Sequence, residues 1–216
     1  TLNGNSIDEN LSNGTVIRTL GTNDPDHGSN ALFTVDDPNF VIQGSTLKSN
    51  TSFNHEDQDT YTINITYQDS TTSSFGKTFT IFINDVNEPP INITLSNTLV
   101  NENSPVATVV GTISAFDPDG DNITYTVTNS VGFSLVPNYR NNSVFSIDGD
   151  KLVTDAIFDY ETESSYTIGI TASDGTFTSD PQEFTINVGN VIEGPTGMTL
   201  DNNSVDENAN NTVVGT

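Results

Sequence analysis

The 216-residue sequence has no cysteine and no tryptophan, three lysines, two arginines, two histidines and six alanines. Without cysteine, a disulfide scaffold and a thiolate metal site are excluded. Five Lys and Arg stand against 29 Asp and Glu, a net charge of −24. That balance argues against nucleic acid and anionic membranes as partners, because both are gripped by Lys and Arg. No apolar run approaches membrane-spanning length, so no membrane insertion by this segment is expected. No charged-then-apolar leader follows Thr1, so a signal peptide is expected to be absent or already removed. The abrupt ending, Val213-Val214-Gly215-Thr216, is expected of a piece of something longer. The scarcity of Ala and Lys removes two of the best helix formers.

What remains is strand and turn material. Leu, Ile, Val and Phe make up about a quarter of the chain, enough for a core. Asn and Thr together number 60; Thr favours strands and Asn favours turns. Tyr61, Ile63, Ile65 and Tyr67 alternate with Thr60, Thr62, Asn64 and Thr66, and Phe79, Ile81 and Ile83 follow after a polar turn. Tyr166, Ile168 and Ile170, then Phe184, Ile186 and Val188, repeat that pair. A period of two with one apolar face describes strands that meet a core on one side and water on the other. The expected class is all-β. The lack of cysteine fits the cytosol, and equally bacterial surface proteins that use metal instead of disulfides.

Self-comparison exposes a repeat. Asp8-Glu9-Asn10, Asn101-Glu102-Asn103 and Asp206-Glu207-Asn208 each follow a Thr-Leu pair. Glu9 to Glu102, and Asp24 to Asp117, are 93 residues apart; Phe53 to Phe158, and Asp69 to Asp174, are 105 apart. The difference locates a 12-residue insertion near 131–142. The expected organisation is a repeat over 1–88, a second over 89–193, and the start of a third over 194–216. Each complete repeat has the size of a seven-stranded sandwich.

The carboxylates recur at fixed places: the repeat start, the end of the second strand, the middle, and the junction Asp85-Val86-Asn87-Glu88-Pro89. In a sandwich with termini at opposite ends, these loops converge at the seam. Two like charges 4 Å apart repel by roughly 4 kcal/mol at an effective dielectric near 20. Several together need a cation. Oxygen donors without Cys and with little His point to Ca²⁺.

These residues resemble tandem cadherin-like repeats, especially those of bacterial surface proteins. The marks are Glu-Asn near each start, Asp117-Pro118-Asp119, Phe158-Asp159-Tyr160-Glu161, Ser173-Asp174-Gly175 and the 85–89 linker. The resemblance implies two Greek-key, Ig-like β-sandwiches in line and three Ca²⁺ ions at a complete junction. At the first junction it implies ligands Glu9, Asn54, Glu56, Asp85, the Val86 carbonyl and Glu88. From the following repeat come Asp117, Asp119, Asp174 and the Asn122 carbonyl, with the Asn87 carbonyl from the linker. Asn54 departs from the family's Asp, which weakens the outermost ion. Asp24, Asp26, Asn30 and Asp69 match a receiving half-site. Glu102, Asp159, Glu161, Asn190 and Glu193 match a leading half-site, in which Asn190 replaces Asp and Ile192 replaces Asn. The function implied is a calcium-rigidified, extracellular or cell-surface segment of a bacterial adhesin, partnered by adjacent repeats of its own chain.

Plainer readings stand beside these. Asp117-Pro118-Asp119 alone would be a β-turn. The stretch from Asp117 fails as an EF-hand, with Asn122 at the Gly position and Thr128 at the Glu position. Asp148-Gly149-Asp150 reads as a hairpin turn. His55-Glu56 does not continue to a second His, because position 59 is Asp, so a zinc site is not expected. No nucleophile elbow or phosphate loop occurs, and an enzyme is not expected. The Asn-x-Ser/Thr sequons at Asn13, Asn50, Asn64, Asn92 and Asn122 follow from composition. The rival function is a polysaccharide-binding module, using Phe133, Tyr139 and Arg140 of the insertion. An accessory module of an enzyme is a second rival. Animal-type adhesion by tryptophan exchange is not expected in a chain with no Trp.

Overall fold

The computed structural model describes residues 4–21, 32–68, 74–128, 144–195, 197–199 and 207. Asp24, Asp26, Asn30 and Asp69, the expected receiving half-site, lie outside these residues. So do the expected insertion with Phe133, Tyr139 and Arg140, and most of 194–216. Among the described residues every regular element is a strand, and no helix is long and apolar enough to cross a membrane.

The first set of strands is β1 (Ser6–Asp8), β2 (Val16–Thr19), β3 (Leu32–Val35), β4 (Phe40–Gln43), β5 (Thr46–Ser49), β6 (Thr60–Gln68) and β7 (Ser74–Asn84). They form two sheets, β1-β7-β6-β3 and β2-β5-β4. The second set is β8 (Ile91–Leu95), β9 (Leu99–Asn101), β10 (Val109–Phe116), β11 (Thr124–Thr128), β12 (Phe145–Asp148), β13 (Lys151–Thr154), β14 (Ser165–Ser173) and β15 (Gln182–Gly189). Its sheets are β12-β13-β10-β8 and β11-β14-β15-β9. The sequence alternation emerges as burial: Ile63, Ile65, Ile81 and Ile83 are buried in the first set, and Ile168, Ile170, Ile186 and Val188 in the second.

One aromatic cluster occurs twice, 105 residues apart. Phe40, Phe53 and Tyr61 hold ring centroids 5.0–5.6 Å apart. Phe145, Phe158 and Tyr166 hold theirs 4.9–5.8 Å apart. Phe53 and Phe158 are buried, and each is followed by the acidic loop that begins at 54 or 159. The buried ring therefore anchors the loop that carries the carboxylates.

Short parallel pairings matter most for the site. β1 runs parallel to β7, with Asp8 opposite Asn84. β9 runs parallel to β15, with Asn101 opposite Gly189. Glu9 and Glu102, one residue further on, are thereby delivered beside the segments leaving β7 and β15. The Glu9 and Glu102 amides donate to the carbonyls of Asn84 and Gly189 at 3.2 and 3.0 Å.

Gly111 sits at a bulge in the β10–β13 pairing. A Cβ there would stand 2.7 Å from the Asn97 carbonyl oxygen and 2.9 Å from its amide nitrogen. Backbone atoms cannot swing aside as a side chain can. Gly111→Ala is expected to cost about 1–3 kcal/mol, the usual range for overpacking. Gly21→Ala, with no atom of a described residue within 4 Å of the new carbon, is the control and should leave the melting temperature nearly unchanged.

The chain divides into two compact units. The first holds Thr1–Ile93 with Ala115–Thr124 and Ala172–Asp180; the second holds Thr94–Ser114, Tyr125–Thr171 and Pro181–Thr216.

Candidate metal centre

Every described residue of the expected main junction belongs to the first unit. Glu9 is 2% exposed, and two backbone amides fix its carboxylate. His55 N–H donates to Oε2 at 2.7 Å and Val86 N–H donates to Oε1 at 2.8 Å. One buried side chain thus ties the 54–56 loop to the linker. Asn10 adopts a left-handed backbone, φ 59°, and its amide donates to Glu88 Oε1. The Glu88 amide donates to Asp119 Oδ2 at 2.9 Å, and the Asn87 side chain donates to Asp174 Oδ2 at 2.7 Å. Asp117 is buried, and its Oδ1 accepts from the Asp121 amide at 3.0 Å. Asn122 is exposed on the same loop.

The oxygens without partners carry the chemistry. Glu88 Oε2, Asp117 Oδ2 and Asp119 Oδ1 are buried and accept no hydrogen bond from the described residues. A buried carboxylate oxygen without a donor is costly. Oxygens of Glu9, Glu56 and Glu88 lie within 4.8 Å of one another. Among the described residues the ion pairs involve His55 alone, so no Lys or Arg neutralises the cluster. Several carboxylates with open oxygens and no cationic side chain are a donor set for a hard dication. The residues therefore fit Ca²⁺, which takes six to eight oxygens.

The carboxyl groups register the crowding. Asp119, within hydrogen-bond reach, foremost holds Asp85 above the ordinary carboxylate range, with burial and repulsion adding to it. Burial chiefly pushes Glu88 up, against the pull of the Asn10 amide. Asp174 is held below its ordinary value by the Asn87 amide first and then by the Phe177 and Thr176 amides. Asp159 is likewise held down, chiefly by the Thr162 hydroxyl. A raised carboxyl contributes stability below its unfolded pKa and loses it as pH rises through the folded value. A lowered one contributes above its unfolded pKa and loses it as pH falls through the folded value. Metal-stripped protein is therefore expected to gain melting temperature as pH falls from neutral into the carboxylate range, then lose it in stronger acid. A melting series in chelated buffer checks this; a monotonic fall from neutral pH would contradict it.

The second unit repeats the arrangement. Glu102 is 3% exposed and accepts from Tyr160 N–H at 2.8 Å and Val191 N–H at 2.7 Å. Asn103, also left-handed at φ 59°, donates to Glu193 Oε1 at 2.5 Å. Asn190 donates to Glu161 Oε1 at 3.1 Å. Oxygens of Glu102, Glu161 and Glu193 lie within 4.8 Å of one another.

Two expected ligands face elsewhere. Asn54 Oδ1 accepts from the Asp57 amide at 3.1 Å. Both Asp159 oxygens turn onto their own loop, to the Glu161 and Thr162 amides and the Thr162 hydroxyl. An Asx side chain satisfies a turn two or three residues on as readily as it reaches a distant site. Asp159 does not join the three close carboxylates of its unit. Asn10 and Asn103 escaped the sequence reading as site residues. The signal was present, since an Asn follows the repeat-start Glu at 10, 103 and 208.

Paired sheets with a buried Glu at the head of each acidic cluster define a class: tandem cadherin-like β-sandwich repeats. Residues 96–189 match the model of the cadherin domain. Among related proteins, protocadherin alpha-2 of Pan troglodytes is 30% identical over 190 residues, covering 77% of this chain and 19% of that protein. Protocadherin gamma-A11 of Homo sapiens is 32% identical over 184 residues, covering 78% and 19%. The chain thus spans about a fifth of the length of the curated relatives it matches. The solved human protocadherin-24 EC1-2 superposes with a TM-score of 0.63 at 21% identity, covering 85% of this chain and 93% of that one. PcdhgB3 EC1-4 gives 0.62 at 22% identity, covering 87% and 47%. At those identities the structures speak for the fold. The chain is an extracellular or cell-surface segment. These relatives are vertebrate proteins, and the bacterial parentage expected from the sequence finds no support in them.

Proposed function

We propose that this segment is a calcium-binding array of adhesion repeats, in which Ca²⁺ clamps the 85–89 linker and stiffens a longer cell-surface protein. The observation that carries the reading is the trio of buried, unpartnered oxygens on Glu88, Asp117 and Asp119. A dication supplies what those oxygens lack and removes the repulsion among their neighbours. The proposed ligands are Glu9, Glu56, Asp85 and Glu88 with Asp117, Asp119 and Asp174, and the carbonyls of Val86, Asn87 and Asn122. Asn54 is the weakest member, since its amide oxygen already serves a turn. Glu102, Glu161 and Glu193 lead a second site, with Asp159 and Asn190 supporting it. Asp24, Asp26, Asn30 and Asp69, which lie outside the described residues, are proposed as a receiving half-site on the sequence pattern alone. The repeat boundaries 1–88, 89–193 and 194–216 belong to this reading, supported by strands and aromatic clusters that recur at the sequence offsets. Likeness to cadherin domains supports a partner-binding role without catalysis. Adjacent repeats and other cadherin chains are the proposed partners.

In this mechanism the protein's residues do most of the work. Glu9 locks the 54–56 loop against the linker through two amides. Asn10 aims the Glu88 carboxylate. Asp119 holds the Glu88 amide, and Asn87 steadies Asp174. The open oxygens of Glu88, Asp117 and Asp119 would hold Ca²⁺, which would supply charge neutralisation there. Limited proteolysis with and without Ca²⁺ tests the clamp. Cleavage within the 85–89 linker should slow by an order of magnitude or more in millimolar Ca²⁺; equal rates would remove it.

A further inference from the structure

We propose that His55, Glu56 and Asp85 form a site for a borderline transition-metal dication of the Zn²⁺ class. His55 Nδ1 stands 3.3 Å from Glu56 Oε1 and 3.8 Å from Asp85 Oδ2. One ligand atom from each of the three lies within 4.8 Å of the others. Zinc sits about 2.0–2.2 Å from nitrogen and carboxylate oxygen in a tetrahedron, which sets two of its ligands roughly 3.3–3.6 Å apart. The His55–Glu56 pair already has that spacing at 3.3 Å, and side-chain rotation brings Asp85, 3.8 Å from His55 and within 4.8 Å of Glu56, to it.

The donor set separates this site from the calcium reading. Imidazole nitrogen is a poor partner for Ca²⁺, which takes oxygen, and a good one for Zn²⁺, Cu²⁺ and Ni²⁺. Among the described residues the other close groups, Glu9 with Glu56 and Glu88, and Glu102 with Glu161 and Glu193, offer oxygen alone. The second unit provides an internal contrast, because Tyr160 stands at the position that matches His55. A nitrogen donor thus occurs at one of two otherwise parallel clusters.

The local structure suits a metal. The His55 backbone is held by Glu9 at 2.7 Å, so the loop presenting the imidazole is anchored in the buried part of the unit. The three side chains are 30%, 25% and 56% exposed, which leaves a solvent path for entry and open positions for water. Glu56 and Asp85 are shared with the proposed calcium ligands, so the two metals compete for them.

The test uses the metal-stripped 216-residue chain titrated by calorimetry with Zn²⁺ alone, and separately with Ca²⁺ alone. His55→Tyr installs the residue found at the matching position, and His55→Gln keeps a polar side chain. Both variants should lose at least tenfold in Zn²⁺ affinity while their Ca²⁺ isotherms stay within about twofold of the parent. Cu²⁺ used as a spectroscopic probe should show coupling to a ring nitrogen in the parent and lose it in both variants. His27→Gln should change none of these. Equal Zn²⁺ affinity in parent and His55 variants, or loss of binding in His27→Gln, would overturn the site. A parent that binds Zn²⁺ through His55 but shows no Ca²⁺ isotherm would sink the calcium reading and leave this one standing.

Discussion

Stripping divalent cations from the segment is expected to lower its melting temperature by on the order of 10 °C, and millimolar Ca²⁺ should restore it. Extracellular calcium modules have dissociation constants of about 10⁻⁴–10⁻³ M. At free Ca²⁺ ten times the dissociation constant, each ion stabilises by about 1.4 kcal/mol. The three ions that the cadherin resemblance implies for one junction would then contribute about 4 kcal/mol, and each kcal/mol shifts a domain of this size by several degrees. The decisive control has opposite signs in two media. Asp117→Asn combined with Glu88→Gln removes two charges from a cluster that no Lys or Arg among the described residues neutralises. Without metal, that double variant should melt at or above the parent, because repulsion is relieved. With Ca²⁺, it should melt well below the parent, because coordinating charge is gone. Loss in both media would mean that these carboxylates are structural and that the cation reading is wrong.

Much of this arrangement is legible in the sequence. Ile63 and Ile65, then Ile168 and Ile170, announce strands because a half-buried sheet demands a period of two. The 105-residue offset that pairs Phe53 with Phe158 reappears as two aromatic clusters of nearly the same geometry. Glu9 and Glu102 recur 93 residues apart in the sequence, and both are buried at the head of their clusters.

Other features could not be read. The parallel β1–β7 pairing rests on three residues with a single apolar member, Ile7, too short for any period to show. The resemblance to cadherin-like repeats implies Asn54 and Asp159 as ligands, and in the fold their oxygens also serve local turns. Sequence does not weigh a partner two residues away against one across the molecule. The sequence argues against zinc at His55, because position 59 is Asp and no second His follows; Asp85 is 30 residues on, and only the folded loop and linker bring it within 3.8 Å of the imidazole.

Glu9→Ala should destabilise the first unit by roughly 3–6 kcal/mol, with or without calcium. Hydrogen bonds to an ionised group contribute about 1.5–3 kcal/mol each, and Glu9 accepts two, from His55 and Val86. Removing the carboxylate leaves both donors in a site that holds Glu9 at 2% exposure. The response distinguishes this residue from Asp117, whose Oδ2 has no protein partner. Amide hydrogen exchange gives the sharper readout. In Glu9→Ala, protection at His55 and Val86 should collapse together, since one side chain secures both. In Asp117→Asn, those two amides should keep their protection even where calcium binding is lost. Glu9→Gln should fall between, because its amide retains one acceptor oxygen and places an N–H against the second donor. If Glu9→Ala left the metal-free melting temperature unchanged, the 54–56 loop and the linker would have to be held by calcium alone. The buried glutamate would then be a ligand and not the clasp that joins loop to linker.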